Sequence, residues 1–321
     1  LENKFGDFIM DLSIVLGGRD DNYGENFIER LQQAVSTNLD LLDKSGLDYE
    51  MIVVDFNPID DQYLHDNSIL KESLSHKRVK NIIVDNSVIC EEDLSPKMYY
   101  EYFAKNAGCR VSSGEFIFVT NSDILLTEDL IDKIKVELNN DDRNNYYYRV
   151  RYRGDISLND TPSPTPRIIP NGDVLTGPLN GWGDPEQVLD LYENLKYHGL
   201  LQQDPIIGLW SGDASMFSKE VMFKVATGYN EGEVTHRGNL HQSDMDSEIL
   251  WNLRAKGKEL RLIEAPYFHI YHGDRPPRDT THSRLKYTNK DDWGFVDYNN
   301  IDINDNTVLI YGKEATLEYD E

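Results

Sequence analysis

Two cysteines in 321 residues, Cys90 and Cys109, are too few for a disulfide framework, and no CxxC spacing points to structural zinc. Both thiols are expected to be reduced. No stretch reaches the ~18 to 20 apolar residues that a membrane span requires, and the first residues carry no basic region followed by an apolar run. A soluble, cytoplasmic chain is the expectation. Positive charge is scarce too: 32 Lys and Arg stand against 57 Asp and Glu, a net charge of −25. Such a surface repels phosphate backbones and anionic membranes, which argues against nucleic-acid partners. Repeats at solenoid periods and low-complexity tracts are also missing, so the organisation must come from alternating strand-like and amphipathic segments.

That alternation is present in the first half. Leu12 to Leu16, Met51 to Val54, Val79 to Val84 and Phe116 to Val119 are short apolar runs, rich in β-branched residues and suited to buried strands. Between them, Asn26 to Leu42 places Phe27, Leu31, Ala34, Val35, Leu39 and Leu42 at helical spacing. Met98 to Ala107 and Glu128 to Leu138 read as helices as well, the second with Thr127 as its N-cap. Strand-helix-strand order of this kind predicts an α/β fold with a mostly parallel central sheet flanked by helices. Further strands are expected at Tyr146 to Tyr152, Ala214 to Phe217, Arg261 to Ile263 and Tyr267 to Tyr271, giving a smaller antiparallel portion toward the C-terminus. Helices are expected near Lys219 to Thr227 and Ser243 to Lys256. Residues 159 to 185, rich in Pro, Gly, Asn and Asp, read as a long loop over the sheet edge.

Each of the four early runs stops at a cluster of acids and amides: Asp20-Asp21-Asn22, Asp55 with Asn57, Asp85-Asn86, and Asn121-Ser122-Asp123. In an open parallel sheet the carboxyl ends of the strands form the ligand crevice, and carboxylates there can hold a divalent cation and read sugar hydroxyls. Asp and Asn also serve as turn and capping residues, so any one cluster has a purely structural alternative.

The run Phe116-Ile117-Phe118-Val119-Thr120-Asn121-Ser122-Asp123 resembles the strand and DxD motif of GT-A glycosyltransferases, here written Asn121-x-Asp123. The amide at the first position leaves Asp123 as the metal ligand and Asn121 as a ribose or phosphate contact. Ser13 to Leu16 followed by Arg19-Asp20-Asp21-Asn22 is similar to the first strand and nucleotide-binding loop of family 2-like members. Asp55 matches the position that reads the nucleobase or ribose, and Asn106, within Lys105-Asn106-Ala107-Gly108, the stretch that approaches the donor. Gly212-Asp213-Ala214-Ser215, Thr227-Gly228-Tyr229-Asn230-Glu231 and Ser243-Asp244-Met245-Asp246 resemble the acceptor half, with Ser243 where relatives carry Glu.

The resemblance implies a single GT-A domain: residues 10–150 bind the nucleotide sugar, 151–275 the acceptor, and 276–321 form a lid or tail. It implies Mn2+ or Mg2+ as cofactor, a UDP-sugar as the favoured donor, a glycan or other hydroxyl acceptor, and an inverting reaction with Asp244 as general base. Arg19, Asp20, Asn22, Asp55, Asn106, Asn121 and Arg275 are the donor-binding candidates, and Trp210, Asp213 and Asp246 the acceptor-binding ones. Such enzymes also recruit a C-terminal His to the metal. His272 is the first candidate and His269 the second, and their odd spacing puts them on opposite faces of a strand unless the strand ends before Tyr271. Arg275, Arg278, His282, Arg284 and Lys286 concentrate positive charge where a basic loop could cover a diphosphate. Two other readings stay open, a sugar nucleotidyltransferase and a catalytically silent carbohydrate-binding domain.

Overall fold

A computed structural model describes residues 10–92, 99–159, 169–170, 214–229, 249, 253, 256–272, 293–295 and 297–313. Strands β1 (Leu12–Gly18), β2 (Tyr49–Phe56), β3 (Val79–Val84) and β4 (Phe116–Thr120) fall on the four apolar runs of the sequence. Helix α1 (Phe27–Ser45) joins the first two strands. Helices α2 (Lys71–Leu74), α3 (Asn86–Glu91), α4 (Glu101–Val111) and, after the two-residue strand β5 (Ile124–Leu125), α5 (Glu128–Leu138) follow. Thr127 caps α5 as expected, its hydroxyl accepting from the Leu130 amide at 3.1 Å.

Strands β6 (Tyr146–Ile156), β7 (Ile169–Pro170), β8 (Ala214–Ser218), β9 (Glu259–Ile270), β10 (Asn299–Asn304) and β11 (Thr307–Tyr311) complete one mixed sheet. Its order is β10-β11-β3-β2-β1-β4-β8-β6-β9-β5, with β7 paired to β6. The centre, β11-β3-β2-β1-β4, is parallel throughout, and antiparallel pairing enters at β8 and at β10. The fold is therefore α/β, with a parallel core and antiparallel strands added beside it.

Both faces of the central strands are buried, which is why they read as continuous apolar runs rather than as alternating ones. Alternate residues divide the core. Val15, Ile52, Val54, Ile117 and Val119 pack against Tyr102, Phe103, Ala104 and Ala107 of α4. Ile14, Leu16, Met51, Val53 and Phe118 face Leu31, Val35 and Leu39 of α1 and Leu130 and Ile134 of α5. On α4, Gly108 allows the close approach, since a Cβ there would collide with Val15 and come within 3.0 Å of Val54.

Three local expectations change. The strands expected at 261–263 and 267–271 are one strand, β9, whose register against β6 slips between Val150 and Tyr152, opposite Pro266. Proline has no amide to give the ladder, so a local irregularity there costs least. Past Lys219, Val221–Ala226 winds wider than an α-helix, with the Thr227 amide bonded to Met222 O at 2.9 Å, five residues back. Finally, 299–311, part of the stretch assigned to a lid or tail, forms the β10–β11 hairpin, and β11 pairs in parallel with β3. Its Asn- and Asp-rich first strand reads locally as turn. Of the helix expected over 243–256, Ile249 and Leu253 are helical and buried. No helix among the described residues is long and apolar enough to cross a membrane.

Candidate active site

Because β1, β2, β3 and β4 run parallel, their following loops meet at one edge, and the four polar clusters share it as expected. They do different work there. Asp85 caps α3, accepting from the Ser87 amide at 2.8 Å, and so has the structural role open to any such residue. Asp21 pairs with Arg19 at 2.9 Å. Burial, then Asp21 and Glu29, raise the Asp20 carboxyl above the ordinary range. Asn121 accepts from the buried Lys105 ammonium at 2.8 Å, and the same ammonium bonds Glu101 at 2.5 Å.

Asp55 differs from these. It is 3 % exposed, and its Oδ2 accepts from the Leu64 amide at 2.7 Å while Oδ1 has no hydrogen-bond partner among the described residues. Desolvation, reinforced by Asp20, pushes its pKa up to about 7 against the opposing effects of the Leu64 hydrogen bond and Arg19.

Asp123 gathers the histidines. Strand β9 ends at Ile270, so His272 lies beyond the pleat and is released from strict alternation. The condition under which both histidines can face one way is therefore met. His269 Nε2 lies 3.6 Å and His272 Nε2 3.3 Å from Asp123 Oδ2, with the two rings 5.1 Å apart. One ligand atom from each of the three residues lies within 4.8 Å of the others. Main-chain pairing fixes the approach: Ile124 registers with His269, and the Ile270 amide donates to Asp123 O at 2.8 Å.

Helix α1 sets the other wall. Arg30, Ala34 and Asn38 repeat every four residues and so share one face of the helix. Asn38 clamps β5, donating to Ile124 O and accepting from the Leu126 amide, both at 2.8 Å. Arg30, 2 % exposed, approaches Asp123 Oδ2 at 3.8 Å through Nε. It also donates to Tyr23 O at 2.6 Å, Gly24 O at 3.1 Å and Glu25 O, tying down the loop after β1. In that loop Asn22, Gly24, Glu25 and Asn26 all adopt positive φ. Tyr23 meets His272 edge-on at 5.1 Å, and a Cβ on Gly24 would stand 2.5 Å from His272 Nδ1.

The structure thus brings Asp123, His269 and His272 together beside the loop that carries Arg19, Asp20 and Asn22. Asn106 is placed differently. It is fully buried, and both ends of its amide bracket Tyr229, donating to Tyr229 O and accepting from its N, each at 2.8 Å. Asp244, Asp246, Trp210, Asp213 and Arg275 lie outside the described residues, as do Ser243 and the basic positions 278 to 286. Sequence reasoning missed Arg30 and Asn38. The signal was available, because both polar residues occupy the apolar face of an amphipathic helix.

No protein-family model matches the chain, and no curated protein matches it. Solved structures do. The crystal structure of S. aureus TarS 1–349 has a TM-score of 0.43 at 10 % identity, covering 81 % of this chain and 60 % of that one. TarS 1–349 in complex with UDP gives 0.41 at 11 % identity, covering 82 % and 61 %, and the complex with UDP-GlcNAc gives 0.42 at 10 %, covering 86 % and 62 %. The matched region spans about three fifths of those TarS 1–349 chains.

Proposed function

We propose that this chain is a metal-dependent glycosyltransferase that moves a sugar from a nucleotide-sugar donor, a UDP-sugar by the sequence resemblance, to a glycan or other hydroxyl acceptor. The observation that carries this reading is the convergence of Asp123, His269 and His272 beside the loop after β1. Two imidazoles and one carboxylate suit a borderline divalent ion, Mn2+ rather than the harder Mg2+, which favours all-oxygen sets. Three protein ligands leave positions for phosphate oxygens. When bound, the ion would neutralise charge on the departing diphosphate.

The chain's own residues have the remaining tasks. Asp55 Oδ1 is a buried polar atom still needing a hydrogen-bond partner, as a nucleobase edge or a ribose hydroxyl would provide. Arg19 and Asn121, held by Asp21 and Lys105, line the same edge as phosphate or ribose contacts. Arg30 keeps the donor loop against the metal-binding group. Asp244 is proposed as the base that takes the acceptor hydroxyl proton in an inverting displacement, with Asp213, Asp246 and Trp210 on the acceptor side and Arg275 on the diphosphate.

The test is turnover of a panel of nucleotide sugars with Mn2+, with the acceptor supplied as a glycan mixture. Asp123→Ala and Asp244→Asn should each abolish transfer while circular dichroism and unfolding midpoints persist. Undiminished transfer by Asp123→Ala, or in excess chelator, would remove the metal from the mechanism. Transfer surviving Asp244→Asn would remove only the base. Nucleotide-sugar binding without any turnover would instead favour the silent binding domain.

A further inference from the structure

A pocket lies beside β3 and β11 and shares no residue with the proposed metal-binding group, although Tyr63 and His65 in its wall flank Leu64, whose amide holds Asp55. Its volume is about 400 Å3. Asn81 and Thr307, paired in register, line it together with the 63–66 segment, α2 and the β10–β11 hairpin. The hairpin is stitched in place by the Asn81 amide donating to Asn306 O at 2.7 Å and by Asn306 Nδ2 donating to Leu74 O at 2.9 Å.

The lining has two features that backbone packing does not explain. Asn81 is 4 % exposed, and its Nδ2 is bonded to Leu74 O at 3.0 Å, yet its Oδ1 has no hydrogen-bond partner among the described residues. His65 Nδ1 is likewise buried and without one. An unanswered buried acceptor costs about 1 to 3 kcal/mol, so the walls are built for a guest that donates hydrogen bonds. The second feature is a flat face. The rings of Tyr63 and His65 stack at 5.6 Å with 26° between their planes, and Ile303 on the hairpin is 44 % exposed.

Charge narrows the guest. Lys71 and Asp66 carry opposite formal charges, so the lining selects neither an anion nor a cation. A neutral ring that bears hydroxyls on its rim and C–H groups on its faces answers both the unpaired polar atoms and the aromatic face. We infer that this pocket is an accessory saccharide site, taking one or two neutral sugar rings and separate from the proposed transfer centre. The inference rests on this pocket alone and holds whether or not the chain transfers sugar.

Saturation-transfer NMR on the full chain, without metal or nucleotide, tests it with glucose, galactose, N-acetylglucosamine and their β-linked disaccharides. At least one should give saturation transfer. Tyr63→Ala, and separately the pocket-blocking Ser75→Trp, should weaken binding about tenfold or more, while Asp123→Ala leaves it unchanged. Both pocket positions are at least partly exposed, so the variants should fold, and unchanged unfolding midpoints would establish that. Saccharide binding lost in Asp123→Ala but kept in Tyr63→Ala and Ser75→Trp would place the sugar at the transfer centre and overturn the inference. So would silence from every sugar in the panel. Because the metal-binding residues are untouched in the two pocket variants, failure here and failure of the transferase reading are separable.

Discussion

Arg30 Nε lies 3.8 Å from Asp123 Oδ2, and the same guanidinium holds three successive carbonyls of the loop after β1. One buried side chain thus couples the Asp123 carboxylate, the proposed metal ligand, to the loop expected to hold the donor. Arg30→Met keeps the helical volume but strands those carbonyls and leaves Asp123 without its guanidinium neighbour. Loss of one partner from a buried charged network costs about 3 kcal/mol, and urea unfolding of the metal-free protein should read that loss. A change under about 0.5 kcal/mol, as for a surface residue, would show that Arg30 holds nothing.

The two histidines should contribute jointly to ion binding. Calorimetric titration with Mn2+ should show affinity falling by about a hundredfold or more in His269→Ala and in His272→Ala, beyond what loss of an outer-shell partner costs. The protein should also gain thermal stability from Mn2+ in proportion to affinity, and each variant should lose that gain. Unaltered Mn2+ binding in His272→Ala would leave its approach to Asp123 as packing only.

Gly24 tests the loop from its other side. Its φ of +66° disfavours a side chain, and an added Cβ would meet His272 Nδ1 at 2.5 Å. Gly24→Ala should cost about 1 kcal/mol from backbone strain and should also weaken Mn2+ binding by displacing the imidazole. A stability loss with full Mn2+ affinity would show that His272 moves freely out of the way.

The burial of Asp55 sets a pH dependence. Its pKa rises from an ordinary 3.8 to about 7 in the folded protein. Between those values the unfolded chain has lost this proton and the folded one keeps it, so raising the pH favours unfolding. Its contribution to stability is present in full below pH 3.8 and gone above about pH 7. The slope should approach 1.4 kcal/mol per pH unit at most, the cost of one proton difference. Asp55→Asn should remove this component, seen by comparing urea unfolding of the two proteins from pH 4.5 to pH 8. Parallel stability profiles would mean that Asp55 is ionised throughout.

Much of the sheet was legible in the residues. The runs ending at Leu16, Val54, Val84 and Val119 are strands, and the spacing from Phe27 to Leu42 is a helix, because burial on both faces or on one stripe leaves a local periodic record. Asp123 could be proposed from its place just past a buried strand. The β10–β11 hairpin could not, since Asn299 to Asn306 has turn composition and becomes strand only by pairing with β11, which β3 in turn holds.

By itself the sequence determined the four central strands β1 to β4, that four polar clusters share one edge, and that Asp123, His269 and His272 were the residues to watch. Tertiary structure alone decided that the three meet, that Asn106 spends its amide on Tyr229, and that Arg30 and Asn38 brace the site from α1. The reason is physical. Local order is written in the spacing of neighbours, whereas the approach of His272 to Asp123 depends on where β9 stops and on a helix more than two hundred residues earlier, and no local pattern records that distance.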